Sequence, residues 1–274
     1  MPLWYGAIAV MTPRYEARLL AGSEQGLCAP SGLAFRRGEL LIADMNNQRI
    51  ARLTRQGAAE EFSGCPPLFS KPLALAADRD SLWVADAANP ALWRWQAGKW
   101  SRAVTSDSLP GGLSLPGGVA LIGGEVYFTD FLKNRVCRRT MQGGCEIVET
   151  IRCVKPYGIC AQGGEVYLTD TGRGRILRYS PREEQCAVLL EQPAEWNPIA
   201  LAASSDGWLY ISTGRTLWRY HRTLGELEPV VDAATWRSMG LGKLCHLGAI
   251  AAKPGRVVVS DTIRHTVVEL FSIL

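Results

Sequence analysis

Short apolar runs of four to six residues recur along this chain, each cut off by Gly, Pro, Asn or Asp. Runs of that length between turn residues predict strands, and no long stretch carries apolar residues at a helical period. The runs come in sets with a fixed order. GEVYFTDFLKNRV, from Gly124, and GEVYLTDTGRGRI, from Gly164, are two plain copies of the central part of one set. Four more copies follow the pattern: GELLIADMNNQRI from Gly38, SLWVADAANPAL from Ser81, GWLYISTGRTLW from Gly207 and GRVVVSDTIRHTV from Gly255. Asp44, Asp86, Asp130, Asp170 and Asp261 share one register, with Thr213 in the fifth place, at spacings of 42, 44, 40, 43 and 48 residues.

Each set opens on PSGLAF, PLALAA, PGGVAL, PYGICA, PIALAA or HLGAIA, which puts His246 in the place held elsewhere by Pro30, Pro72, Pro116, Pro156 and Pro198. A tight turn leads to the second run, a third such as RIARL or RILRY follows, and a fourth such as AEEF, SRAV or AVLL ends the set. Four short strands repeated at this period predict an all-β fold, a six-bladed β-propeller with four-stranded blades. The sixth set stops after its third run, near Leu270, while YEARLLA at residues 15–21 precedes the first set. The expectation is a single domain over residues 1–274, with 15–21 as the closing outer strand of the last blade, because that pairing removes both free edges.

The units resemble the NHL repeat, most plainly where PSGLAF is followed by LLIADMNNQRI and PYGICA by VYLTDTGRGRI. The resemblance covers nearly the whole chain and implies a six-bladed NHL-type propeller. Its relatives include a copper- and zinc-dependent peptide-amidating lyase, sensor domains, and RNA- or protein-binding domains, so it speaks to fold more than to function. The lyases place metal-binding histidines near the starts of first strands. Here Gly32, Ala74, Gly118, Gly158, Ala200 and Gly248 hold that register, so neither a metal nor a cofactor is expected.

A feature present in five units of six reads as a folding device rather than a catalyst. Asp44, Asp130 and Asp170 precede Arg49, Arg135 and Arg175 by five residues, across the turn between second and third strands. A carboxylate at the start of that turn can accept backbone N–H groups while the guanidinium returns to it. The small residues of the first strands, continued two positions later by Ala34, Ala76, Ala120, Cys160, Ala202 and Ile250, share one strand face and allow six strands to converge on a channel.

Candidate chemistry sits in the loops that lead from one blade to the next and gather at one channel mouth: 65–72, 106–118, 152–158, 191–198 and 234–246. They carry Phe69, Tyr157, Trp196 and Trp236 beside Arg152, Lys155, Arg237 and Lys243, with His246 at the foot of the last loop. That set predicts binding of an anionic or aromatic small molecule or a short acidic peptide. The alternative is a metal-independent lyase, hydrolase or isomerase in which His246, Tyr157 and Cys245 transfer protons and Arg152 or Arg237 meets negative charge.

A net charge of +4 without any run of five like charges disfavours nucleic acid as a partner. Arg94, Arg138, Arg139, Arg178 and Arg219 on third strands are expected between blades or on outer surfaces. The apolar opening Pro2–Met11 is too short to cross a bilayer and lacks a cationic flank, so no membrane partner and a cytoplasmic location are expected. The eight cysteines include no CxxC; Cys137 with Cys145 and Cys153 with Cys160 are the pairs spaced for a bridge, and reduced thiols are the cytoplasmic expectation.

Overall fold

Each set of runs forms one antiparallel four-stranded sheet, and six such sheets are present. The computed structural model describes residues 14–62, 64, 69–192 and 196–273. The apolar opening, Cys65 to Leu68 of one expected mouth loop and Pro193 to Glu195 of another lie outside these residues. Blade 1 runs outward from the channel through Pro30–Arg36, Glu39–Asp44, Arg49–Leu53 and Ala59–Glu61. Blades 2 to 5 repeat this order from Pro72, Pro116, Pro156 and Ala200. Blade 6 consists of Leu247–Lys253, Arg256–Asp261 and Thr266–Ile273, and its outermost strand is Arg14–Ala21 from the other end of the chain. That strand lies antiparallel to Thr266–Ile273, with Ala17 opposite Leu270, and closes the ring as the sequence predicts.

Side chains alternate between the two faces of each innermost strand, and the alternation is one of size. Leu75 packs on Ala34 of the preceding blade, Val119 on Ala74 and Ala76, and Ile159 on Ala120. Leu201 packs beside Cys160, Ile250 on Ala200 and Ala202, and Leu33 on Ala249 and Ala251. At every interface a large residue facing back thus meets small residues facing forward. At Gly32 a Cβ would stand 2.8 Å from the Leu73 carbonyl oxygen and 2.9 Å from the Ala74 Cα, so glycine is what lets these backbones approach.

Blade 6 corrects the sequence register by one residue. Leu247, not His246, lies opposite Asp261, as Pro30 lies opposite Asp44. Ala249 and Ala251 therefore continue the small series, in place of Gly248 and Ile250, and Ile250 belongs to the large series. HLGAIA offers both alignments, and only this one turns Ile250 toward the small residues of blade 5.

Candidate functional site at the channel mouth

The five register aspartates are fully buried. Their main partners are backbone N–H groups of the loop that enters the same blade. Cys28 donates to Asp44 at 2.7 Å, Lys71 to Asp86 at 2.7 Å, Leu115 to Asp130 at 3.0 Å, Val154 to Asp170 at 2.6 Å and Cys245 to Asp261 at 2.7 Å. Arg49, Arg135 and Arg175 add Nε–H bonds to Asp44, Asp130 and Asp170 at 2.8, 3.1 and 2.7 Å. The folding role holds, with one change: the carboxylate ties the incoming loop to the blade more than it ties the turn that follows it.

Hydroxyls latch successive blades together at the same end of the channel. Ser31 donates to the Pro72 carbonyl at 2.8 Å, Thr129 to Tyr157 at 2.8 Å and Thr171 to Pro198 at 2.7 Å. Ser212 donates to Leu247 at 2.7 Å and Thr262 to Pro30 at 3.1 Å. Blade 2 carries Leu73, Ala85 and Ala87 where its neighbours place these hydroxyls, so no hydroxyl latch joins it to blade 3 at this end among the described residues.

Ser31, Leu73, Gly117, Tyr157, Ile199 and Gly248 surround the mouth. The cavity there measures about 60 Å³, and the one at the far end of the channel about 230 Å³. Aliphatic side chains and backbone line most of both, and the mouth cavity is too small for an organic substrate. The Tyr157 ring lies over Gly117, where a Cβ would come within 2.9 Å of it, and meets Phe131 edge-on at 5.8 Å. Burial pushes the Tyr157 phenol pKa up, which keeps it protonated. His246 is held elsewhere: its Nδ1 would lie 3.4 Å from a Cβ at Gly214 of blade 5. Burial lowers its pKa, opposed by the Asp261 carboxylate. The Cys245 thiol points at the Lys243 carbonyl, 3.9 Å away. The three proposed proton-transfer groups thus rest in separate surroundings, Tyr157 against blade 3 and His246 against blade 5.

The expected ligand-binding set divides sharply. Phe69 and Trp236 are 3% and 1% exposed and are core residues, a correction to their place in a binding rim. Phe69 packs edge-on to Trp93 at 5.6 Å and to Trp100 at 5.2 Å. Trp236, on the short helix Ala233–Ser238, anchors the long loop into the blade 5–6 cluster. Trp196 is half-buried against the blade 4–5 cluster. Arg152, Lys155, Arg237 and Lys243 are exposed on the mouth loops.

Two further exposed cations, Arg215 and Arg264, stand in turns after second strands and escaped the sequence reading. The residues in Arg264's place in blades 3 and 4 are tied down: Lys133 donates to the Gly112 carbonyl at 2.8 Å, and Arg173 donates to the Arg152 carbonyl and faces Asp170. The guanidinium groups of Arg215 and Arg264 make no hydrogen bond or ion pair among the described residues. Thr213, in the aspartate's place, was the signal for Arg215, since it removes the local carboxylate. Among the described residues no cluster of three His, Cys, Asp or Glu side chains could hold a metal ion. Seven cysteines, Cys65 not included, are free thiols, with neither spaced pair bridged. Burial pushes Cys137, Cys153 and Cys160 up to about 12.

No protein-family model matches the chain, the NHL repeat's included, and no curated protein matches it in sequence. Solved structures do resemble it. A gluconolactonase of Xanthomonas campestris superposes with a TM-score of 0.72 at 15% identity, over 94% of this chain and 89% of that one. Virginiamycin B lyase from Staphylococcus aureus gives 0.67 at 15% identity, over 95% and 100%. The nidogen chain of a nidogen/laminin complex gives 0.66 at 20% identity, over 81% and 85%. At such identities the likeness is one of architecture, and what this chain shares with the lyase and the lactonase is the six-bladed β-propeller.

Proposed function

We propose that this chain is a recognition propeller of NHL-type repeats. Its mouth face over blades 4 to 6 binds an anionic partner, a small acid or a short acidic peptide. The observation that carries the reading is a group of exposed cations without partners. The charged side chains of Arg152, Lys155, Arg215, Arg237, Lys243 and Arg264 make no hydrogen bond or ion pair among the described residues. They ride on loops whose bases are fixed by buried carboxylates and by Trp236. Unpaired positive charge on a rigid rim raises the local concentration of anions and speeds their capture. The free thiols suit a reducing compartment such as the cytoplasm.

The enzymatic alternative draws on the fold likeness to a lyase and a lactonase. It would require Tyr157, His246 and Cys245 to act together from their separate surroundings, above a cavity of about 60 Å³.

A labelled oligoglutamate peptide and a set of small di- and tricarboxylates, titrated at low ionic strength, test the recognition reading. Binding should weaken as salt rises. The double variant Arg215→Glu/Lys243→Glu should lose about tenfold or more in affinity. Absence of binding at low salt, or full affinity in the double variant, would overturn it.

A further inference from the structure

Along the third strands the repeat sets up a cross-strand charge pattern, and blade 2 breaks it. Arg52 pairs with Glu39 and Glu60, Arg138 with Glu125 and Glu146, Arg178 with Glu165, and Arg219 with Glu228. Blade 6 holds the arrangement with the signs reversed, Glu269 meeting Arg256 and Arg18. Arg94 stands in the same register, opposite Trp83 on one side and Ser101 on the other. Ser81 and Ser101 fill the places of the acids. The Arg94 guanidinium makes no ion pair or hydrogen bond among the described residues, and its Nε is shut off from solvent.

A second departure faces it from blade 3. Arg139 lies opposite Val126, at a position occupied in the other blades by Leu53, Trp95, Tyr179, Tyr220 and Leu270. A charge has replaced an apolar side chain between blades, and its Nε finds the Ala103 carbonyl at 3.4 Å. Both guanidinia converge on one indole, with their Cζ atoms 5.4 and 5.5 Å from the Trp83 ring centroid. They line a cleft of about 330 Å³ between blades 2 and 3, bounded by the Gly123–Gly124 turn at the end of the propeller away from the mouth. The two carboxylates on its wall are committed. Asp78 accepts the Asp80 and Ser81 N–H groups, and Glu125 accepts from Tyr127 and pairs with Arg138.

We propose that this cleft is an oxyanion site for a small molecule bearing a phosphate or carboxylate group, held by Arg94 and Arg139. Two guanidinia fixed on one aromatic support present forked donors suited to such a group. A half-buried arginine without a counter-charge is costly until an anion meets it. Two independent breaks in the repeat, in adjacent blades, meet at this one place.

Calorimetric titration of the full chain carrying Arg215→Glu and Lys243→Glu, which removes the anion affinity proposed for the mouth, with inorganic phosphate, pyrophosphate and citrate at constant ionic strength should show one saturable site. Binding of the phosphates without citrate would assign the group as phosphate, and the reverse as carboxylate. Arg94→Gln should weaken binding about tenfold or more. Arg139→Leu installs the side chain that blades 1 and 6 carry, so it should fold and lose the site. Ser101→Glu supplies the missing acid, pairs Arg94 and should also abolish binding, while Arg182→Gln, on an exposed turn of blade 4, should leave it unchanged. The site is refuted if none of the three anions binds saturably, or if binding survives both Arg139→Leu and Ser101→Glu.

Discussion

Asp130 accepts from the Ser114 and Leu115 N–H groups, the Ser114 hydroxyl and Arg135 Nε, with no exposure to solvent. Asparagine keeps its size but removes the charge opposite Arg135 and turns one acceptor into a donor facing donors. Asp130→Asn should cost about 3 kcal/mol, read as a lower denaturant midpoint at unchanged slope. An unchanged midpoint would mean that the loop is held by something other than the carboxylate. His246 offers a second test at this scale. Its folded pKa is lowered from 6.5, so the folded protein prefers the neutral imidazole. The unfolded chain then binds the proton more readily, and stability falls as pH drops below the ordinary imidazole value. His246→Gln cannot titrate and should flatten the decline of the thermal midpoint between about pH 7 and pH 5. The raised thiols work in the opposite direction. Cys137, Cys153 and Cys160 favour the fold until pH rises past 9, where the unfolded chain ionises first. Native-state alkylation followed by mass spectrometry should therefore modify half-buried Cys28 and Cys245 well before these three.

Among the elements, the strand Arg14–Ala21 has the most distant partner in the sequence, since it pairs with Thr266–Ile273. It gives blade 6 its outer edge, and Arg18 and Arg256 together offset the buried Glu269. Removing residues 1–21 should abolish cooperative unfolding, while a circular permutant that joins 273 to 14 through a short Asn-Gly-containing turn should restore it. A truncated chain with a sharp, undiminished unfolding transition would show that closure contributes nothing. The strands and this closure were legible because each hairpin is local and the unit recurs six times, so one worn copy is corrected by five others. The register of blade 6 was not, because Gly248 and Ala249 are both small and only the packing of Ile250 against Ala200 and Ala202 chooses between them. The rim was half legible for a related reason. Phe69 and Trp236 lie in loop-like sequence, but an aromatic ring is buried whenever a neighbouring blade offers it a surface, as Trp93 and Trp100 do for Phe69. Exposed cations such as Arg152 and Lys243 needed no such surface, and their placement could be read from the loops alone.

A closed ring transmits strain through every interface, so its resistance to opening depends on the weakest of the six. Five interfaces carry a hydroxyl latch at the mouth, and the one between blades 2 and 3 has none among the described residues. The same interface admits Arg139 at an apolar position and leaves Arg94 unpaired, two features that cost stability until compensated. Hydrogen exchange should accordingly be fastest along Pro72–Ala77 and Pro116–Ile122, compared with the innermost strands of the other blades. Ala87 stands where Thr171 and Thr262 stand in blades 4 and 6, is only half-buried, and its backbone N–H already bonds to the Lys71 carbonyl as that of Thr262 bonds to His246. Ala87→Thr can therefore place a hydroxyl near the Pro116 carbonyl without disturbing the turn. It should add about 1 kcal/mol of stability and slow exchange in these two strands more than elsewhere. A gain in stability with exchange slowed evenly over all six blades would locate the weak point away from this interface. Thr262→Val, which removes an existing latch between blades 6 and 1, should then cost about the same amount and move the fastest exchange to the seam closed by the N-terminal strand.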